Sequence, residues 1–277
     1  MMAKRIVTIL PDLSFEEALE VTKIYSIIGK NEAQGIMRTR PFRNPHHTIS
    51  AVSMAGGGAF PKPGEVSLAH HGVLFLDELP EFKHSSLEVL RGPMEDRKVS
   101  ISRVQANLTY PCNFMLVASM NPCPCGYFGD KERECKCTPS QIQNYKNRVS
   151  GPLLDRIDLH IEVPNVKFKS FENTKEELSC KIKERVEKAR KIQQERYAEY
   201  GIYTNSELTP KLMEEFCVLS SSSKSILEKY FQKNKLSARS YSKILKIART
   251  IADLEGSENI KDKHILEAIR YRFMDKR

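Results

Sequence analysis

Two adjacent carboxylates, Asp77 and Glu78, stand at the end of an apolar run in GVLFLDELPEF, and Pro80 follows at once. Carboxylates are rarely buried without a partner. A strand that delivers two of them to its C-terminal edge usually has a cation to hold there. A hydrated Mg²⁺ bridging to nucleotide phosphates suits this pair, with Asp77 as the metal ligand and Glu78 as the base that polarises an attacking water. Taken alone, the motif also fits two solvated carboxylates. A second apolar run, FMLVASMNP, ends in Asn121. Its amide suits the positioning of a lytic water, or equally a turn before Pro122. Arg156, in GPLLDRIDLHIEV, falls between a short helix and a strand. A fixed guanidinium there suits a phosphate in a neighbouring subunit, or an ion pair with Asp155 or Asp158. Arg239 opens a helix in LSARSYSKILKIARTIADLEG, where it can reach a γ-phosphate or simply face water.

Four of the seven cysteines crowd into CPCGYFGDKERECKC, at Cys123, Cys125, Cys135 and Cys137. Four thiolates can close a tetrahedral zinc site. The residues between the pairs are polar and build no core, so a metal would give the loop its fold. The C-x-C spacing is tighter than the usual C-x-x-C, and reduced thiols or a redox pair are the alternatives. With no secretory signal pattern, metal binding is favoured over disulfides. His46 and His47 in PHH serve substrate or structure. Adjacent histidines on a strand point to opposite faces, so they do not make a metal pair.

These groups need elements to place them. GVLFLD and FMLVASMN read as buried parallel strands by their continuous apolar runs, and IDLHIEVP reads as a third strand. FRNPHHTISAVSMAGGGAFPKPGEV is rich in Gly and Pro and reads as loop or short strands. HSSLEVLRGPMED reads as a short helix closed by Gly92 and Pro93, KVSISRVQANLTYP as a hairpin, and SQIQNYKNRVSGPLLDR as helix. Ser14 and Glu17 form a capping box ahead of an early helix, as do Thr174 and Glu177 further on, and Thr209 before Pro210 starts another helix. Helices are expected over 174–200, 209–218, 222–233, 238–254 and 262–273. The fold class is therefore α/β over 1–165, followed by an all-helical domain over 166–277. The net charge of +9 over 277 residues fits an anionic partner such as nucleic acid, or a generally basic surface. No run of about 18 apolar residues is present, so a cytoplasmic chain without a membrane span is expected.

The order and spacing of RPFRNPHH, GGGAFPKPGEVSLAHHGVLFLDELPEF, NPCPCGYFGD and GPLLDRIDLHIEVP resemble the magnesium-chelatase-like branch of the AAA+ ATPases, in its ComM/YifB type. The resemblance runs from end to end. It implies a parallel-sheet AAA+ core and a helical lid. Asp77 and Glu78 become the Walker B pair, Asn121 sensor 1, Arg156 an arginine finger and Arg239 sensor 2. It also implies ATP with Mg²⁺, a homo-oligomeric ring, usually a hexamer, and action on DNA as a branch-migration helicase. Zinc in the cysteine loop agrees with related proteins. In rings of this clade the hairpin, with Arg97, Lys98 and Arg103, and the Gly-rich insert, with Phe60 and Lys62, usually project toward the pore. Their cations would grip phosphates without reading sequence; the alternative is a solvated hairpin and an ordinary glycine turn. A chelatase-type motor that inserts Mg²⁺ or remodels proteins is a second reading, and a zinc-stabilised oligomerisation module without enzymatic activity a third. The sequence departs from the family in one respect: no G-x-x-x-x-G-K-[ST] occurs in it. The family carries that loop just ahead of residues matching Met2–Arg5, so the chain is expected to begin after the phosphate cradle and to be inactive alone.

Overall fold

The structure, a computed structural model, describes residues 2–29, 35–58, 61–103, 106–130, 132–163, 177–234 and 236–272. The chain divides into two compact units, Met1–Thr8 with Asp12–Arg156, and Ile9–Pro11 with Ile157–Arg277. The boundary expected at 165/166 lies outside the described residues.

In the first unit, α1 (Met2–Ile6) and α2 (Phe15–Ile27) lead into β1 (Phe42–Arg43), α3 (Ala51–Ala55), β2 (Gly56–Gly57), β3 (Lys62–Pro63), α4 (Glu65–Leu68) and β4 (Val73–Leu76). Then come α5 (His84–Glu88), α6 (Arg91–Asp96), β5 (Lys98–Arg103), β6 (Ala106–Pro111), β7 (Met115–Ala118), α7 (Pro139–Asn147) and α8 (Gly151–Leu154). The Ser14 hydroxyl accepts from the Glu17 N–H while the Glu17 carboxylate accepts from the Ser14 N–H, so the expected capping box starts α2. The central sheet is parallel, in the order β1-β4-β7. Its middle strand β4 is the VLFL run, buried except at Phe75, as a parallel strand covered on both faces must be. Leu74, Leu76, Leu79, Leu87 and Leu153 join one core around it. The hairpin β5-β6 pairs Lys98 with Pro111 through to Arg103 with Ala106.

Two expectations change. IDLHIEVP forms no strand over the described residues 157–163. The helical unit holds it instead: His160 N–H donates to Tyr271 O at 2.7 Å, and the buried Arg272 guanidinium donates to the carbonyls of Ile157 and Asp158. The third sheet strand comes from Phe42–Arg43 in the stretch read as loop or short strands. Gly92 and Pro93, expected to close a helix, sit in the first turn of α6. Proline is tolerated there because its missing N–H has no intrahelical partner to lose.

The second unit contains α9 (Ser179–Arg196), α10 (Pro210–Phe216), α11 (Ser221–Asn234), α12 (Ala238–Glu255) and α13 (Asp262–Arg270). The Thr209 hydroxyl accepts from Leu212 N–H and caps α10, as its place before Pro210 predicts. The capping box at Thr174 lies outside the described residues. Tyr197, Leu227, Ile244 and Ile265 belong to a separate core. Beside it, the fully buried Asp253 accepts from Arg196, Arg249 and Asn205. A carboxylate buried this deeply is tolerable only with such partners.

Candidate nucleotide and metal sites

β4 brings Asp77 and Glu78 out of the core to an exposed edge. The backbone ladder continues past the strand end: Ser119 N–H donates to Leu76 O at 3.0 Å, and Leu79 N–H to Ser119 O at 2.8 Å. Between these bonds the Ser119 hydroxyl donates to Asp77 Oδ1, and Glu78 N–H donates to Ser119 Oγ at 3.3 Å. Glu78 sits in the left-handed region at φ 54°, ψ 51°. A non-glycine residue there costs on the order of 1–3 kcal/mol and persists only where its surroundings enforce it. The clasp by Ser119 and the burial of Leu79 and Pro80 provide that enforcement. At the other end of β4, Gly72 is required by close approach, since a Cβ would stand 2.0 Å from the Pro41 carbonyl oxygen.

Asn121 follows β7 and is exposed beside this edge. Its backbone lies beside the Tyr145 phenol, near enough to lower that group's pKa. Burial raises the Tyr145 pKa, the Asn121 contact opposes this, and the charges of Glu81 and Glu78 add to the rise. His47 Nδ1 lies 3.9 Å from Glu78 Oε2. His46 and His47 are not on a strand, and their rings stack with centroids 4.1 Å apart, so the opposite-face argument does not apply. The edge fits a hydrated Mg²⁺: Asp77 is exposed, and one of its oxygens is oriented by a hydroxyl donor.

Arg156 is held by its own unit. Its guanidinium pairs with Glu95 at 2.9 Å and donates to Pro152 O at 2.7 Å, with the side chain only 12% exposed. The partner is thus Glu95 rather than Asp155 or Asp158. Arg239 is exposed in the first turn of α12, in the second unit.

The four cysteine sulfurs converge, each within 4.8 Å of the others. Cys123 lies 3.4 Å from Cys125 and 3.7 Å from Cys135, and Cys125 lies 3.6 Å from Cys135. A tetrahedron of sulfurs with metal–sulfur bonds of about 2.3 Å has edges of about 3.8 Å, so the donor set fits zinc with little movement. The Cys125 pKa is lowered to about 6, first by the Tyr127 backbone, with burial opposing and the Cys123 and Cys137 thiols adding to the fall. Cys135 goes the other way, to about 12; the Cys137 backbone pulls it down, but burial and its thiol neighbours push it up. Cys112 and Cys217 are buried elsewhere, and burial pushes both thiols up, to about 12 and about 11.

Family models for "Magnesium chelatase, subunit ChlI" and for its C-terminal part match residues 1–171 and 176–272. The chain belongs to the magnesium chelatase family. Among curated relatives, "Competence protein ComM" of Haemophilus influenzae is 44% identical over 276 residues, covering 99% of this chain and 53% of that protein. Escherichia coli YifB is 45% identical over 278 residues, 100% and 54% of the two chains. A Mycobacterium tuberculosis protein is 35% identical over 274 residues, 98% and 54% of the two chains. The chain spans about half the length of the curated relatives it matches. Its parallel sheet and helical second unit accord with the AAA+ fold of this magnesium chelatase-like group. No helix among the described residues is long and apolar enough to cross a membrane.

The structure brings Asp77, Glu78 and Asn121 to the C-terminal ends of neighbouring strands. Lys62 and Lys98 are exposed, on β3 and β5. Arg103 ends β5, and its side chain, like Phe60, lies outside the described residues. Sequence reasoning passed over Ser119, although a lone hydroxyl after the apolar MLVA was its signal. It also passed over a cluster in SLAHHG, where Glu20 Oε2 lies 3.0 Å from His70 Nε2 and 2.8 Å from His71 Nε2. Asn113 N–H donates to His70 Nδ1 at 3.0 Å. The His70 proton is therefore on Nε2, pointing at Glu20, and burial holds the ring below its usual pKa. That arrangement ties α2 to the foot of β7 and disfavours His70 as a metal ligand.

Proposed function

We propose that this chain supplies the Mg²⁺- and water-handling part of an ATP-driven ring motor that acts on DNA, in branch migration or unwinding during recombination or natural transformation. The observation that carries the reading is the Asp77–Glu78 pair at the end of the buried strand β4, with Asp77 oriented by Ser119 and Glu78 turned outward by its left-handed backbone. Asp77 would hold Mg²⁺, and Glu78 would accept the proton of the attacking water, with Asn121 positioning that water. When bound, the metal would neutralise charge developing on the phosphates. Arg239 would contact the phosphate from its own chain and Arg156 from a neighbouring subunit, which requires Arg156 to leave Glu95 or to act through it. Lys62, Lys98 and Arg103 would meet DNA phosphates. The name of the Haemophilus influenzae relative and the charge of +9 support DNA over a porphyrin or protein substrate.

The test is Glu78→Gln in a protein that carries a P-loop ahead of these residues. ATP should remain bound while turnover falls by orders of magnitude. Near-normal hydrolysis would overturn the role given to Glu78.

A further inference from the structure

A second basic surface lies on the cysteine loop and α7. Gln141, Asn144, Tyr145 and the C-cap Arg148 follow one face of α7 at i, i+3, i+4, i+7. Together with Pro124 and Lys136 of the loop they bound an open groove of about 530 Å³. Phe128 is 49% exposed on the same loop, and its ring faces Lys146 of α7, whose Nζ lies 5.5 Å from the ring centroid. The Phe128 N–H donates to Cys123 Sγ at 3.3 Å, which fixes the ring's base on the sulfur cluster. Tyr127 carries Arg133 over its ring at 5.3 Å. Lys136 and Lys146 make no ion pair among the described residues. Arg148 is paired with Glu81 at 2.9 Å but keeps half of its side chain in water. Glu132 and Glu134 are exposed on the loop, so a polyanion is better accommodated along the α7 flank than along that turn.

We propose that this surface binds a nucleic-acid single strand. Phe128 offers a ring on which a base stacks. Lys136, Lys146 and Arg148 neutralise phosphates, and the Asn144 amide and the Gln141 Nε2, whose Oε1 accepts from Thr138 N–H in the cap of α7, meet a base edge in the groove. An exposed aromatic flanked by cations is the sequence-tolerant chemistry by which proteins hold unpaired strands, since every base has a π-face. A duplex keeps its bases stacked inside and offers Phe128 none. This inference rests on the DNA reading above and adds a contact to those assigned to the hairpin and the Gly-rich insert.

Fluorescence anisotropy of the 277-residue chain with a labelled oligo-dT about 20 nucleotides long, and with its duplex, tests it. Phe128→Ala should weaken single-strand binding about tenfold, Phe128→Trp should restore it, and Phe128→Leu should not. Lys136→Ala combined with Lys146→Ala should lower the salt slope by about 0.7 for each phosphate left without its cation. These side chains are exposed, and unchanged circular dichroism and thiol reactivity would show that the loop stays folded. If oligo-dT binds with unchanged affinity in Phe128→Ala, this inference falls and the DNA reading stands. If neither oligo-dT nor duplex binds at low salt, both fall.

Discussion

Glu78 shows how one residue's backbone can be set by its neighbours. Nothing in its side chain favours positive φ, yet Ser119 from the adjacent strand and the buried Leu79–Pro80 pair fix it there. Glu255, at the end of α12, shows charge acting at the same scale. Lys263 first and His264 second lower its pKa from 4.5 to about 2, with His264 Nε2 at 2.5 Å. A carboxylate whose folded pKa is depressed stabilises the fold above its unfolded pKa. That stability is lost as pH falls through the folded one. The second unit should therefore lose urea resistance between about pH 4.5 and pH 2, and Glu255→Gln should flatten the profile in that window. An unchanged pH profile in the variant would rule out this contact as the cause.

At the scale of elements, β4 is held by what flanks it. β1 and β7 pair with it in parallel, and Gly72 lets the Pro41 carbonyl come close enough to accept from Val73 N–H at 2.8 Å. Among its described residues the 123–137 loop has no comparable hydrophobic support: Cys123 is the buried one, and Glu132, Arg133, Glu134 and Lys136 are exposed. Convergence of four sulfurs in such a loop places mutual repulsion where thiolates form, and a bound cation relieves it. Metal analysis should find about one zinc per chain, and Cys135→Ser should lower both zinc content and the temperature at which the loop becomes thiol-reactive. A metal-free native chain whose four cysteines all react freely would exclude the site.

At the scale of the whole molecule, the described residues form two cores, one around Leu74 and Leu76 and one around Ile244 and Ile265, each within its own unit. Its 277 residues contain the Asp77–Glu78 pair and Asn121 but no P-loop motif. A P-loop supplies backbone N–H groups, a helix N-terminus and a Lys aimed at the phosphates, and Mg²⁺ normally shares its ligands with the nucleotide. The 277-residue chain should therefore bind Mg·ATP weakly and hydrolyse none. Calorimetric titration beside a longer protein that includes a P-loop checks this. Micromolar affinity in the 277-residue chain would show that the nucleotide site is elsewhere.

Much was legible in the sequence where the physics is local. Continuous apolar runs gave β4 and β7, because a strand buried on both faces needs apolar residues throughout. Ser14 with Glu17, and Thr209 before Pro210, marked helix starts, because capping involves residues only a few positions apart. The hairpin over 98–111 followed from its alternation and turn, and the cysteine cluster from its composition. The tertiary structure decided what depends on distant partners. IDLHIEVP has a strand's pattern but is claimed by Arg272 and Tyr271, more than a hundred residues later. Phe42–Arg43 is too short to announce a strand, yet it becomes one because β4 offers it an edge. Ser119 at Asp77, Glu95 at Arg156, and Glu20 at His70 and His71 are contacts between separate segments. Their residue types are ordinary, and only packing makes them partners.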